Sequence, residues 1–332
     1  MSDLEPDQQC DRFAIHAAGL TRYFGDQLVV DRLDFCIPKG KVTALLGLNG
    51  AGKTTTIRMA MGLLDPTRGE CRTLGENSRE LSTRTLQRIG YLVEGHYLPG
   101  WMRVSALERF ARSGRAHWDA DRFRSLIEHF RIRSDQRVGR LSRGQRAGVS
   151  LACVLAADPE LLILDDPALG LDPVSRRALN EALVEFAGGT TRQGAARTVL
   201  LSTHLIDDVE RIADDIAVMI GGRLLVHTSL ANFTTRVGRW MLHVDESGVS
   251  ARFHRELHGL VEARRACGHW ELCIANGDAD IKAQIARALE VGGGEANASI
   301  EQMETSLNDL VIAYLSTEGS ESFREANEHV GA

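Results

Sequence analysis

No stretch of the chain approaches the roughly 18 to 20 consecutive apolar residues that cross a bilayer, so a membrane role requires a separate membrane-spanning partner. Positive charge is not in excess either. With 39 Lys and Arg against 45 Asp and Glu the net charge is −6, which gives no support to a general nucleic-acid-binding role. The start, Met1 to Gln9, is acidic and polar, and no apolar run behind it reads as a secretory signal. Only six cysteines (Cys10, Cys36, Cys71, Cys153, Cys267, Cys273) are scattered through 332 residues, which suits a reducing cytosol better than a disulfide framework. Cys267, His269 and Cys273 could in principle share a metal. Their surroundings read as a short strand or hairpin, and no second pair lies near to complete the four ligands zinc wants. There is no internal repeat, low-complexity block or sustained heptad pattern.

What is present is the balance of a globular protein, 43 % hydrophobic and 25 % charged, with length for one large domain and a smaller one. Residues 1–12 read as a flexible tail. Leu33, Phe35 and Ile37 alternate with polar residues as a strand does, and Val42–Leu46 is a largely apolar run suited to a strand buried on both faces. A helix is expected from Lys53 to about Leu64. The stretch 95–160 reads as mostly helical, with segments Val104–Arg112, Asp119–Phe130 and Ser142–Ala157. Leu161–Leu164 is a second buried-strand run. Helix and strand then alternate to Ile220, which implies a parallel sheet covered by helices. From Ser229 the rhythm breaks, and residues 229–318 read as a small α+β accessory domain with helices over Asp280–Leu289 and Ile300–Leu315. Residues 319–332 form a polar tail.

Gly47-Leu-Asn49-Gly50-Ala51-Gly52-Lys53-Thr54 lies between a buried-strand run and a helix. Glycines free backbone N–H groups to converge on phosphate oxygens at a helix N-terminus. Lys53 can reach the β- and γ-phosphates and the Thr54 hydroxyl can ligate Mg²⁺. Leu161-Leu-Ile-Leu-Asp165-Asp166 is the second signal. A strand that ends in a carboxylate beside a phosphate loop can hold Mg²⁺ through Asp165, and Asp166 can polarise an attacking water. Leu141-Ser142-Arg143-Gly144-Gln145, opening a helix, is the third.

With these motifs the chain resembles the nucleotide-binding subunit of an ATP-binding cassette (ABC) transporter, over about residues 13–228. The resemblance implies an α/β P-loop ABC ATPase domain, with a mixed sheet core and a helical subdomain at about 95–160. It also implies ATP and Mg²⁺ as ligands. ATP is expected to contact Gly47, Asn49, Gly50, Ala51, Gly52, Lys53, Thr54 and Thr55, with Phe24 stacking on adenine although Tyr23 is adjacent. Ser142, Gly144 and Gln145 are expected to cap the γ-phosphate of ATP held by an opposite subunit. Leu171-Asp172-Pro173 matches the family's partner-contacting segment, and His204, after Thr198–Thr203, its γ-phosphate-sensing histidine. Ser306-Leu-Asn-Asp-Leu310 is similar to the C-terminal end of exporter-type members.

The chain departs from the family at three positions. Arg143 replaces a glycine of the signature. Asp166 replaces the glutamate that usually acts as base, and Glu94 replaces the glutamine that links Mg²⁺ to the helical region. Asp166 is shorter by one methylene, and Glu94 keeps an oxygen ligand while adding charge. The two acidic changes read either as compensating or as separately tolerated. Trp101-Met-Arg-Val104 favours the exporter type, with 96–104 as a docking surface and Trp101 alternatively a core residue. The resemblance implies a cytoplasmic ATPase, peripheral on the inner face of the cell membrane. It would pair as a homodimer or heterodimer and drive a transmembrane permease subunit. No nucleic acid is expected. A soluble regulatory or ribosome/DNA-associated ABC ATPase is the alternative.

Overall fold

A computed structural model of the chain describes residues 12–243, 257–266, 269–275, 281–291 and 299–316. In chain order, β1 (Phe13–Phe24) and β2 (Gln27–Pro38) make a hairpin. They are followed by β3 (Val42–Leu46), α1 (Lys53–Ala60), β4 (Arg68–Thr73), β5 (Glu76–Asn77), α2 (Thr83–Gln87) and β6 (Ile89–Leu92). Three helices come next, α3 (Val104–Ser113), α4 (Ala120–His129) and α5 (Arg143–Leu155). Then β7 (Leu161–Asp165), α6 (Pro173–Ala187), β8 (Thr198–Thr203), α7 (Ile206–Ile212), β9 (Asp215–Ile220) and β10 (Arg223–Ser229) alternate. The last part holds α8 (Leu230–Arg236), β11 (Val237–His243), β12 (Leu260–Ala266), β13 (His269–Ala275), α9 (Ile281–Val291), β14 (Ser299–Gln302) and α10 (Leu307–Ser316).

The central sheet has the order β10-β9-β3-β8-β7-β6, parallel except for the antiparallel edge strand β10. Every residue of β3 and β7 is buried, as a strand covered on both faces must be. Alternation then assigns the faces. Leu162 and Leu164 pack with Phe123 of α4, Val149 of α5 and Phe186 of α6. Leu161 and Ile163 pack with Ile15, Leu33 and Phe35 of the antiparallel β2-β1-β4-β5 sheet and with Ile57 of α1.

Helix ends follow local chemistry. Asp172 caps α6, its carboxylate accepting from the Val174 and Ser175 N–H groups, with Pro173 at the first position. The helix expected to reach Leu64 stops at Ala60. Gly62, at φ +67°, takes the left-handed turn that ends it, and a Cβ there would lie 2.1 Å from the Ser78 carbonyl oxygen.

The C-terminal part forms the antiparallel sheet β12-β13-β11-β14. On one face Trp240, Leu272 and Ile274 pack with Ile285 and Leu289 of α9. The helix expected over Ile300–Leu315 is divided. Residues 299–302 pair with β11 as β14, and α10 starts only at Leu307. From α10, Leu310, Val311 and Tyr314 enter the same core as Ala44, Leu46, Ile216 and Val218 of the central sheet. Both tails except Arg12, and Cys267 of the candidate metal group, lie outside the described residues. Among the described residues no helix is long and apolar enough to cross a membrane.

Candidate nucleotide site

The loop between β3 and α1 wraps a cavity of about 300 Å³. Asn49, Gly50, Ala51, Gly52, Lys53, Thr54 and Thr55 line it together with Glu94 and Asp166. Its glycines have steric reasons. At Gly47 a Cβ would meet the Met219 carbonyl oxygen at 2.4 Å, and Gly52 sits at φ +101° with the Val29 carbonyl oxygen 2.8 Å from where a Cβ would stand. Gly52 is the N-cap of α1, whose first turn therefore opens onto the cavity with no side-chain cap.

Lys53 is 6 % exposed, and its Nζ donates to the carbonyls of Gly47 (2.7 Å) and Leu48 (3.2 Å). Burial pushes its pKa down, opposed by the carboxylates of Asp166, Asp165 and Glu94. The ammonium is thus parked inside its own loop, within a set of three acidic groups. Thr54 Oγ1 donates to Asp165 Oδ1 at 3.0 Å. Asp165 is 1 % exposed, and among the described residues its buried Oδ2 has no hydrogen-bond partner. Burial raises its pKa and the neighbouring Asp166 raises it further, against the Thr54 hydrogen bond, the nearby Ser202 hydroxyl and the Lys53 charge. An orphaned buried carboxylate oxygen beside a hydroxyl and a second carboxylate is a donor set that suits a hard divalent cation. Among the described residues no cluster of three His, Cys, Asp or Glu forms a closed metal cage. A cation at Thr54 and Asp165 would complete its shell with water and phosphate oxygens.

Asp166 adopts φ +45°, a left-handed conformation that costs a non-glycine residue roughly 1–2 kcal/mol. Its N–H donates to the Ser202 carbonyl (3.0 Å), and its Oδ1 accepts from His204 Nδ1 at 2.8 Å. A carboxylate only accepts, so His204 Nδ1 carries a proton and donates it. The structure therefore joins Asp166 to His204, and Glu94 lines the same cavity as Asp166.

Ser142, Gly144 and Gln145 do not line this cavity. Ser142 and Gln145 form a reciprocal capping box at the start of α5, and Gln145 Nε2 also donates to the Arg131 carbonyl. Gly144 packs so closely on the start of α6 that a Cβ would lie 1.9 Å from Ser175 Oγ. Arg143 points along the same surface, and its Nη1 donates to the Gly170 carbonyl at 3.2 Å. Phe24 is also off the cavity. It is 47 % exposed at the tip of the β1–β2 hairpin, with the Arg22 guanidinium 4.7 Å from its ring centre. In the 96–104 segment Tyr97 and Trp101 are 85 % and 79 % exposed, so Trp101 is not a core residue of the helical region.

Sequence reasoning missed Val29 and Leu169, which complete the cavity wall, and the buried His96. No local pattern marks the first two, because their place depends on how the β1–β2 hairpin and the loop after β7 fold over the phosphate loop.

A family model described as ABC transporter matches residues 30–169. The uncharacterized ABC transporter ATP-binding protein YhaQ of Bacillus subtilis (strain 168) is 32 % identical over 300 residues, 88 % of this chain and 95 % of that one. The chain belongs to the ABC transporter ATP-binding family. Nod factor export ATP-binding protein I of Rhizobium sp. (strain N33) is 35 % identical, over 66 % of this chain and 71 % of its own length. Bacitracin transport ATP-binding protein BcrA of Enterococcus faecalis is 31 % identical, over 68 % and 72 %. Among solved structures, an ATP-binding subunit of an ABC transporter superposes with a TM-score of 0.59 at 28 % identity, covering 67 % of this chain and 92 % of its own. As a member of this ABC family the chain binds and hydrolyses ATP.

Proposed function

We propose that this ABC protein is the energy-supplying subunit of an exporter. Two copies, or one copy and a related chain, close head to tail over two molecules of Mg²⁺-ATP and drive a separate membrane-spanning subunit. The protein is then peripheral on the cytoplasmic face of the membrane, held there by that partner. The observation that carries the reading is a site built by halves. The phosphate loop, Glu94 and Asp166 line one open cavity, while the ready-made helix N-terminus at Ser142–Gln145 lies elsewhere on the same chain. A helix end offers N–H groups and a favourable dipole to an anion, and in this reading the anion is a phosphate of ATP held by a second subunit.

In this reading Gly47–Thr55 bind the phosphates and Lys53 leaves its carbonyl partners for the β- and γ-phosphates. Thr54, Asp165 and Glu94 would hold Mg²⁺, which when bound would offset phosphate charge. Asp166, steered by the His204 Nδ1–H, accepts a proton from the attacking water, and His204 Nε2 faces the γ-phosphate. Phe24 provides a stacking surface for adenine. Exposed Tyr97 and Trp101 dock the membrane subunit. The transport names of the relatives support this over a soluble regulatory or ribosome-associated ATPase.

The test is purification of the tagged chain from native membranes in mild detergent, with mass spectrometry of what accompanies it. A polytopic membrane protein in near-equal amount is expected. Ribosomal or DNA-associated partners in its place would overturn the exporter reading.

A further inference from the structure

Immediately after Glu94 the chain makes two successive left-handed residues, Gly95 at φ +86° and His96 at φ +49°. The turn drives the His96 side chain inward, to 5 % exposure, between exposed Gly95 and exposed Tyr97. There its Nε2 lies 2.9 Å from the carbonyl oxygen of Pro167. A carbonyl only accepts, so Nε2 carries the proton and donates. His96 Nδ1 is buried with no partner, so this one hydrogen bond is the imidazole's whole polar contact among the described residues. An apolar side chain would fill the space without burying an unsatisfied nitrogen, and Pro167, lacking an N–H, cannot anchor itself through its own amide.

Pro167 directly follows Asp166, which is itself left-handed and held from behind by its N–H to the Ser202 carbonyl. The peptide between these anchors sets where the Asp166 carboxylate points. An aspartate reaches less far than a glutamate, so its pose has little slack: a displacement of about 1 Å can cost on the order of a hundredfold in rate.

We propose that His96 is a positioning residue for hydrolysis, whose Nε2–H fixes the Pro167 carbonyl and thereby the pose in which Asp166 meets His204. This rests on the reading of Asp166 as the carboxylate that activates water. It gives the inward turn after Glu94 a task beyond packing, and it ties the segment that exposes Tyr97 and Trp101 to the carboxylate by a single hydrogen bond.

The experiment compares His96→Gln with His96→Met in the full-length chain, by steady-state ATPase kinetics and by fluorescent-ATP binding. Glutamine can set an amide N–H where Nε2 stands. Methionine fills similar space without a donor. His96→Met is expected to lower kcat about 10- to 100-fold with KM and nucleotide affinity within about threefold of the parent, and His96→Gln to retain kcat within about threefold. Equal kcat for the two variants, or a loss that appears in KM and affinity instead, overturns the proposal. Should His96→Met not fold, His96→Asn, too short to reach Pro167, takes its place with the same expected loss. Asp166→Asn, measured alongside, separates the two claims. Turnover surviving in Asp166→Asn removes the reading of Asp166, whereas its loss there with undiminished turnover in His96→Met removes only the role of His96.

Discussion

Asp165 shows at the scale of one residue how a binding site stores its cost. Its side chain is buried, one oxygen has no hydrogen-bond partner among the described residues, and both burial and the Asp166 charge hold its pKa above the ordinary aspartate value. A carboxyl whose pKa is raised by folding contributes most below its unfolded pKa and loses that contribution as pH rises through the folded one. Without nucleotide or divalent cation, Asp165→Asn is therefore expected to melt higher than the parent at pH 7.5, with the difference vanishing toward pH 4. Thermal melts across that range check it. For Asp166 the expectation is kinetic: Asp166→Asn lowers kcat at least about a hundredfold while ATP binding persists. If Glu94 and Asp166 compensate, Glu94→Gln also lowers turnover. Unchanged turnover in Glu94→Gln alone would show that the two acidic changes are independent.

At the scale of elements, α5 depends on its first turn. The Ser142 hydroxyl accepts from the Gln145 N–H, and the Gln145 side chain accepts from the Ser142 N–H. Ser142→Ala is expected to cost about 1 kcal/mol in urea unfolding of the nucleotide-free chain. Gly144 has a different task. With a Cβ 1.9 Å from Ser175 Oγ, Gly144→Ala must push α5 away from the start of α6, and so from the Asp172 cap. ATPase activity is expected to fall more than about tenfold and ATP-dependent dimerisation to be lost, as read by size-exclusion chromatography with light scattering. Arg143, where the family has glycine, lies over Gly170 and leaves the Ser142 N-cap in place. The same logic explains a boundary that sequence reasoning missed. Ser306 and Asp309 bond reciprocally, Asp309 N–H to Ser306 Oγ and Ser306 N–H to Asp309 Oδ2, which starts α10 where a continuous helix from Ile300 was expected. That signal was legible in the sequence as a capping pattern. The apolar spacing upstream of it, which belongs to β14, obscured it.

For the whole molecule, the C-terminal part has its own small core against α9, but α10 does not belong to that core alone. Leu310, Val311 and Tyr314 share a cluster with Ala44 and Leu46 of the strand that feeds the phosphate loop. Leu310→Ala is expected to destabilise the chain by about 2–5 kcal/mol in urea unfolding, in one transition that includes the ATPase core. A separate early transition leaving ATP binding intact would show that the accessory part folds independently. Residues 229–318 read as a separate unit because the βα alternation ends near Ser229. Sequence periodicity reports which residues are apolar and not which neighbour covers them.

The sequence by itself marked the glycine-rich loop before α1, the carboxylates at the end of β7, the helix that opens at Ser142 and their order. Each is a local pattern whose chemistry works within a few residues: glycines for close approach, a lysine, paired acids and a cap. It also settled where β3 and β7 run, because strands buried on both faces leave continuous apolar runs. Only the tertiary structure decided what depends on distance in space. It brought His204 to Asp166, set His96 beneath Pro167, turned Arg143 toward Gly170 and placed Phe24 outside the cavity. Those contacts join segments tens of residues apart through single hydrogen bonds and single turns, and no spacing along the chain encodes them.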